Sequence, residues 1–223
     1  MIPCLDISHP SYRSTPMNSI IDCHTHHQHA TDAIINIDDF KGVLEHDLLY
    51  SAGIHPWREE NASEGSFSTV EMLSQLNCVV AIGECGIDKA ISTPLSVQQE
   101  IFIKHIHLSE KVKKPLIIHC VRAWQELIGI HKQFKPSQAW IIHGFRGKPT
   151  IAENLVINGL FISYGHHFNA ESVKITPLHH ILIETDECRQ PIIQLASAIA
   201  EVKGISTESL LAAVSQNIQS CLG

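Results

Sequence analysis

Five stretches of the chain carry residues that can do chemistry. They are Asp22-Cys23-His24-Thr25-His26, Gly83-Glu84-Cys85-Gly86-Ile87-Asp88, His119 within Ile117-Ile118-His119-Cys120, His143 within Ile141-Ile142-His143-Gly144, and Glu184-Thr185-Asp186. In each, the polar residues close a short apolar run. On an extended chain residues i and i+2 point the same way, so His24 and His26 share a face. Brought together, four imidazoles and the carboxylates of Glu84 and Asp186 are too many charges and lone pairs to bury unpaired. A divalent cation accounts for them. Nitrogen and oxygen donors suit Zn²⁺, Mn²⁺, Fe²⁺ or, more weakly, Mg²⁺. Six candidate ligands exceed the three of a mononuclear catalytic zinc, so the expectation is two divalent metal ions (Zn, Mg or Mn), with Glu84 able to bridge them. The chemistry on offer is hydrolysis by a water made acidic at such a centre.

The elements must deliver these side chains to one place. Short, continuous Ile-, Leu- and Val-rich runs predict strands at 19–24, 33–37, 48–54, 78–84, 116–119, 140–143, 160–164 and 181–184. Continuous apolar runs suit strands buried on both faces of a parallel sheet. Helical patterns lie between and after them, at 66–76, 97–111, 123–134, 150–158, 191–202 and 207–220, with Gly204 ending one helix and Ser206 or Thr207 capping the next. Eight strands alternating with helices predict a (β/α)8 TIM barrel, all one domain over residues 1–223, with a doubly wound open sheet as the alternative. In a barrel the C-terminal strand ends meet on one face, where barrel active sites lie. The weak place is Thr25–Asp47, where a parallel crossover of the usual dozen or more residues hardly fits. The barrel is therefore expected to be slightly trimmed in its first βα units.

Composition narrows the classes. The charge is 16 − 23 = −7 with the sixteen histidines neutral, which excludes a strongly basic coat for nucleic acid but not a local basic patch. A hydrophobic fraction of 44% provides a core and excludes general disorder. No apolar run approaches the roughly 18 residues of a membrane helix. The start, MIPCLDISHP, does not read as a signal peptide. Seven cysteines without a CxxC pair fit reduced thiols, so the expected location is cytoplasmic.

HTH at 24–26, GIHP at 53–56, AIGECGID at 81–88, IIHC at 117–120, IIHGF at 141–145 and LIETDE at 182–187 occur in this order. From about Ile20 to Gly223 the chain resembles the TatD family of metal-dependent deoxyribonucleases, within the amidohydrolase-type barrels. The resemblance implies that His24, His26 and Asp186 bind one metal and His119 and His143 the second. It implies that Glu84 bridges the two and that Asp186 receives the proton of the attacking water. His55 resembles a residue that contacts substrate or supports a ligand, and Asp88 one that fixes a loop. The implied reaction is phosphodiester hydrolysis of DNA, exonuclease-type, at single-stranded ends, by a monomer. The sequence departs from the family's usual pattern after strands five, six and eight, where Arg122, Arg146 and Glu187-Cys188-Arg189 stand. These loops shape the substrate pocket.

Six cations, Arg58, Lys89, Arg122, Arg146, Lys148 and Arg189, fall in loops just after predicted strands. Arg122 and Arg146 are the favoured phosphate contacts, since a guanidinium fork matches phosphate geometry. Cys23, Cys85 and Cys120, each one residue from a ligand candidate, are expected to be small core residues facing the helices. His105 and His107 are expected at the surface or at an interface, and His27, His29, His166 and His167 are weaker candidates for lining the mouth. The rival readings are a small-molecule phosphoesterase or amidohydrolase using the same metals, and a non-catalytic metal-binding scaffold.

Overall fold

A computed structural model describes residues 20–37, 44–45, 47–61 and 64–223. Eight strands run β1 (Asp22–Thr25), β2 (Ala33–Asn36), β3 (Leu49–Ala52), β4 (Val79–Asp88), β5 (Leu116–Val121), β6 (Trp140–Ile142), β7 (Phe161–Tyr164) and β8 (Ile181–Ile183). They pair in that order, all parallel. A bridge from Thr25 to Asp186 brings the two ends together, so the sheet closes into the expected (β/α)8 barrel. Nearly every strand residue is buried, because the barrel fills one face and helices cover the other. The first residue of the expected first strand, Ser19, lies outside the described residues.

The helices are α1 (Glu64–Leu73), α2 (Leu95–Val112), α3 (Trp124–Phe134), α4 (Pro149–Ile157), α5 (Ala170–Ile175), α6 (Ile192–Lys203) and α7 (Thr207–Leu222). Gly204 takes the left-handed conformation (φ 66°) that ends α6, and the Ser206 side chain accepts the Ser209 N–H to start α7. Sequence patterning does not give α5 or the 3₁₀ segment Pro56–Asn61, both too short to show a helical period. The early units are trimmed as expected: residues 26–32 carry the chain from β1 to its parallel neighbour β2 without a helix.

β4 is the longest strand and packs tightly against β5. A Cβ on Gly83 would sit 2.4 Å from the Ile117 carbonyl, and one on Gly86 would sit 2.0 Å from the His119 carbonyl. Both residues have φ near +140°, a conformation that side chains rarely adopt. The two glycines therefore bracket Glu84 for a reason of packing: they let β4 lie flush against β5, which carries His119.

Candidate metal centre

Glu84 stands at the middle of the barrel mouth, 4% exposed. Its backbone N–H donates to Asn36 Oδ1 on β2 at 2.9 Å, and Asn36 also accepts from the Ser51 hydroxyl, so two neighbouring strands fix where the carboxylate starts. The two carboxylate oxygens face different partners. Oε2 lies 3.4 Å from His24 Nε2 and 3.8 Å from His26 Nε2. Oε1 lies 2.7 Å from His143 Nε2, 3.0 Å from His119 Nδ1 and 3.0 Å from His55 Nε2. Asp186 Oδ1 stands on the Oε2 side, 3.5 Å from His26 Nε2 and 4.0 Å from His24 Nε2. All six predicted ligand positions thus converge.

The outer ring nitrogens decide what the inner ones can do. His119 Nε2 lies 3.2 Å from Asp88 Oδ2, and His143 Nδ1 lies 3.2 Å from Glu184 Oε1. With the outer nitrogen donating to a buried carboxylate, the neutral ring keeps a lone pair on the nitrogen that faces Glu84, the position a cation would take in place of a proton. This is the outer-shell arrangement of metal-binding histidines. His55 is the reverse. Its Nδ1 accepts the Trp57 backbone N–H at 3.1 Å, so in the neutral ring the proton sits on Nε2 and points at Glu84. Burial lowers the pKa of His55 against the pull of Glu84, which keeps the ring neutral. Distances alone group His55 with Glu84 and His119 as a possible metal triad, beside His24–His26–Glu84 and His24–His143–Asp186. Its hydrogen bonding makes it a donor rather than a ligand.

The donor set fits a cation on two further counts. His24 is fully buried, and neither ring nitrogen makes a well-aligned hydrogen bond, Nε2 having only its 3.4 Å approach to Glu84. Leaving such a group unpaired is costly, and a metal would satisfy it. The cluster also demands positive charge. Burial works to lower the pKa of His143, yet Glu84 and Glu184 on either side raise it well above the imidazole range. Burial works to raise the pKa of Glu84, yet His143, His119 and His24 hold it well below the carboxylate range.

On the other flank the candidate ligands themselves close the barrel. The His26 N–H donates to the Asp186 carbonyl and the Asp186 N–H to the His24 carbonyl, both at 3.0 Å. Asp186 holds φ 53°, a left-handed turn that swings its side chain back over the mouth. Beneath it Asp22 accepts from the Thr185 N–H at 3.1 Å and the Thr185 hydroxyl at 2.6 Å, and Thr25 and Thr185 share a 2.7 Å hydroxyl contact. Burial first, and Glu184 second among the raising influences, push the Asp22 pKa up to about 8.

A cavity of roughly 1300 Å³ opens above the cluster. Its walls include His55, Arg122 and Arg146, the three predicted substrate contacts, together with Arg58, Trp57, Trp124 and Glu187. Neither Arg122 nor Arg146 is in an ion pair among the described residues. Lys89, Lys148 and Arg189 do not line the cavity, and Lys89 is bound to Glu126 at 2.8 Å. One expectation needs correction. His105 is not at the surface: it is fully buried, with Nδ1–H donating to the Ile101 carbonyl and Nε2 accepting the Ile54 N–H. Cys23 is a fully buried core residue as expected, and its thiol also donates to Ser163 Oγ at 3.0 Å and lies 3.8 Å from Glu184. Asn36 and Glu184 were given no role from sequence. The i, i+2 relation of Glu184 to Asp186 was the available signal for the latter.

The model of the family described as TatD related DNase matches residues 19–223. The chain belongs to the TatD family. Among curated TatD-like relatives, an uncharacterized metal-dependent hydrolase of Bacillus subtilis, YabD, is 30% identical over 78% of this chain and 78% of its own length. The 3′-5′ ssDNA/RNA exonuclease TatD of Erwinia amylovora is 31% identical over 61% of this chain and 56% of its own length. The human 3′-5′ RNA nuclease TATDN2 is 31% identical over 65% of this chain, which spans only 21% of that protein. Among solved structures, YJJV, a TatD homologue from Escherichia coli, superposes with a TM-score of 0.80 at 20% identity over 92% of this chain and 98% of that one. A TatD-family hydrolase from Entamoeba histolytica gives 0.78 at 19% identity over 91% and 97%. These likenesses establish the TatD barrel fold. Among the described residues no helix is long and apolar enough to cross a membrane.

Proposed function

We propose that this member of a metal-dependent hydrolase family cleaves phosphodiester bonds at single-stranded nucleic-acid ends, with DNA as the favoured substrate and two divalent ions at the barrel mouth. The observation that carries the reading is Glu84, whose two oxygens face two separate histidine sets. Glu84 would bridge, with His24, His26 and Asp186 on its Oε2 side and His119 and His143 on its Oε1 side. Bound ions at such a centre supply Lewis acidity and lower the pKa of water toward neutrality. The chain supplies the rest. Asp186 is the open carboxylate, 31% exposed at its side chain against 5% for Glu84, so Asp186 accepts the proton of the attacking water as its oxygen bonds to phosphorus and the ester oxygen leaves. With Glu84 committed to the ions, the His55 Nε2–H that points at it here would be released to donate to a substrate oxygen, and Arg122 and Arg146 would hold flanking phosphates.

The cavity volume lies above the ~300–1,000 Å³ usual for small-ligand sites, which favours the end of a polymer. The names of the Erwinia and human relatives carry 3′-5′ polarity and RNA as well as DNA, and the same polarity is proposed here. A small-molecule phosphoester or amide is the second reading; the net charge of −7 and Glu187 on the cavity wall favour it. The test is shortening of 5′-labelled single-stranded DNA and RNA by chelator-stripped protein, with Mg²⁺, Mn²⁺ and Zn²⁺ restored separately. Stepwise loss from the 3′ end, reduced about 10²–10⁴-fold in Asp186→Asn, is the expected result. Protein that binds two ions yet cleaves no oligonucleotide would overturn the nuclease reading in favour of a small substrate.

A further inference from the structure

Trp57 is 65% exposed, the most open aromatic ring among the large exposed apolar side chains, and it forms part of the cavity wall. A lone exposed apolar residue needs no explanation. Trp57, however, is fixed in place at two points. Its ring N–H donates to Asp88 Oδ2 at 2.8 Å, and its backbone N–H donates to His55 Nδ1 at 3.1 Å. Its ring centroid stands 4.9 Å from that of His55 at 79° and 6.0 Å from that of His119 at 76°. The indole is therefore held edge-to-face against the imidazoles of His55 and His119 while the residue as a whole stays largely open to solvent. Asp88 is nearly buried and is shared between Trp57 and His119, so the indole is registered directly to the candidate ligands.

We propose that Trp57 is the stacking surface for a nucleobase of the nucleotides flanking the scissile phosphate. The proposal rests on the nucleic-acid reading above and adds to it the part of the substrate that the metal cluster cannot touch. A phosphate at the cluster lies within one nucleotide of this ring, and every base offers a π-face that an open indole can take regardless of sequence. Fixing the indole in advance removes the entropy that an exposed rotor would lose on stacking. Arg58, next in the chain, is also on the cavity wall.

The experiment compares single-stranded DNA with two copies of it that carry an abasic tetrahydrofuran residue, one at the terminal and one at the penultimate 3′ nucleotide. In the metal-loaded enzyme one of the two abasic positions should raise KM about ten-fold. In Trp57→Ala that difference should vanish, while Trp57→Phe, which keeps a ring but loses the Asp88 hydrogen bond, should retain most of it. The proposal is overturned if the wild-type enzyme ignores both abasic positions, if Trp57→Ala discriminates as the wild type does, or if Trp57→Phe behaves like Trp57→Ala. A second readout needs no turnover. Calorimetric titration of a deoxynucleoside monophosphate against deoxyribose 5-phosphate should show tighter binding of the former, lost in Trp57→Ala. Equal binding of the two by the wild type would overturn the stacking role. This arm separates the two claims, because failure to cleave any oligonucleotide condemns the nuclease reading while base-dependent binding still decides Trp57.

Discussion

The two flanks of the candidate metal centre are built in opposite ways. On the β4–β5 flank the backbone does most of the positioning: long strands share an extended ladder, Gly83 and Gly86 remove the side chains that would hold them apart, and a single side chain, Asn36 of β2, pins the Glu84 N–H. On the β1–β8 flank there is one bridge, and side chains do the positioning: Asp22, Thr25 and Thr185 form a buried network directly beneath Asp186. Ladder hydrogen bonds are available to any sequence that can form strands. A side-chain network works only with those side chains. One flank should therefore be sensitive to added bulk, and the other to lost polarity.

The largest effect that could break this contrast is Gly86→Ala. The new methyl meets the His119 carbonyl in a backbone conformation that alanine resists. A loss of about 4 kcal/mol in urea unfolding is expected, with strain at a special φ as the cause. A change under about 1 kcal/mol would show that the glycine is incidental. Next comes Thr185→Val, equal in size but unable to donate to Asp22 or pair with Thr25. Leaving buried partners unsatisfied should cost about 2 kcal/mol, and the same exchange at an apolar ladder position should cost far less. If Thr185→Val is neutral, the network is not what closes the barrel.

The smallest effect sharpens the comparison through pH. His105, on α2, holds the Ile54 N–H next to the turn that carries His55, and burial pushes its pKa down to about 4. The unfolded chain takes up a proton near 6.5 and the folded one does not until about 4, so the unfolded state binds more protons between those values. Stability is thus full above the unfolded pKa and falls as the solution is acidified through that window. The contribution of His105 at pH 6 relative to pH 8 is about 1 kcal/mol, read as a shift in the urea midpoint. His105→Gln should flatten that part of the profile. An unchanged slope would mean that the Ile54–His105 bond is not held in solution.

These contrasts explain what was legible from the sequence. All eight strands were, because a strand buried on both faces must be a continuous apolar run, and the polar residue that ends it marks the mouth. That the six candidate ligand positions converge followed from the same rule. The shortened start followed from counting residues between β1 and β3. What was hidden depends on partners distant in sequence. His105 reads as one more helical histidine until Ile54, 51 positions away, is seen to need an acceptor. Glu184 looks like a strand terminus until His143 is found beside it. Nothing local distinguishes Trp57 from a stray surface aromatic, because the anchor of its ring, Asp88 at the end of β4, lies 31 positions away. The three cations that miss the cavity were placed after the right strands, but loop direction is not encoded in strand order.

The barrel closure has a further consequence. Thr25 and Asp186 are 161 positions apart in the chain, and His24, His26 and Asp186 make the backbone bonds that join these ends. An ion held jointly by residues of β1 and of the turn after β8 would act as a removable cross-link across that loop, comparable in reach to a long-range disulfide and reversible by a chelator. Loading the centre and locking the molecule shut would then be one equilibrium. The ion concentration would set not only how many molecules can react but how often the first and last strands part, as amide exchange at the joining N–H groups would record.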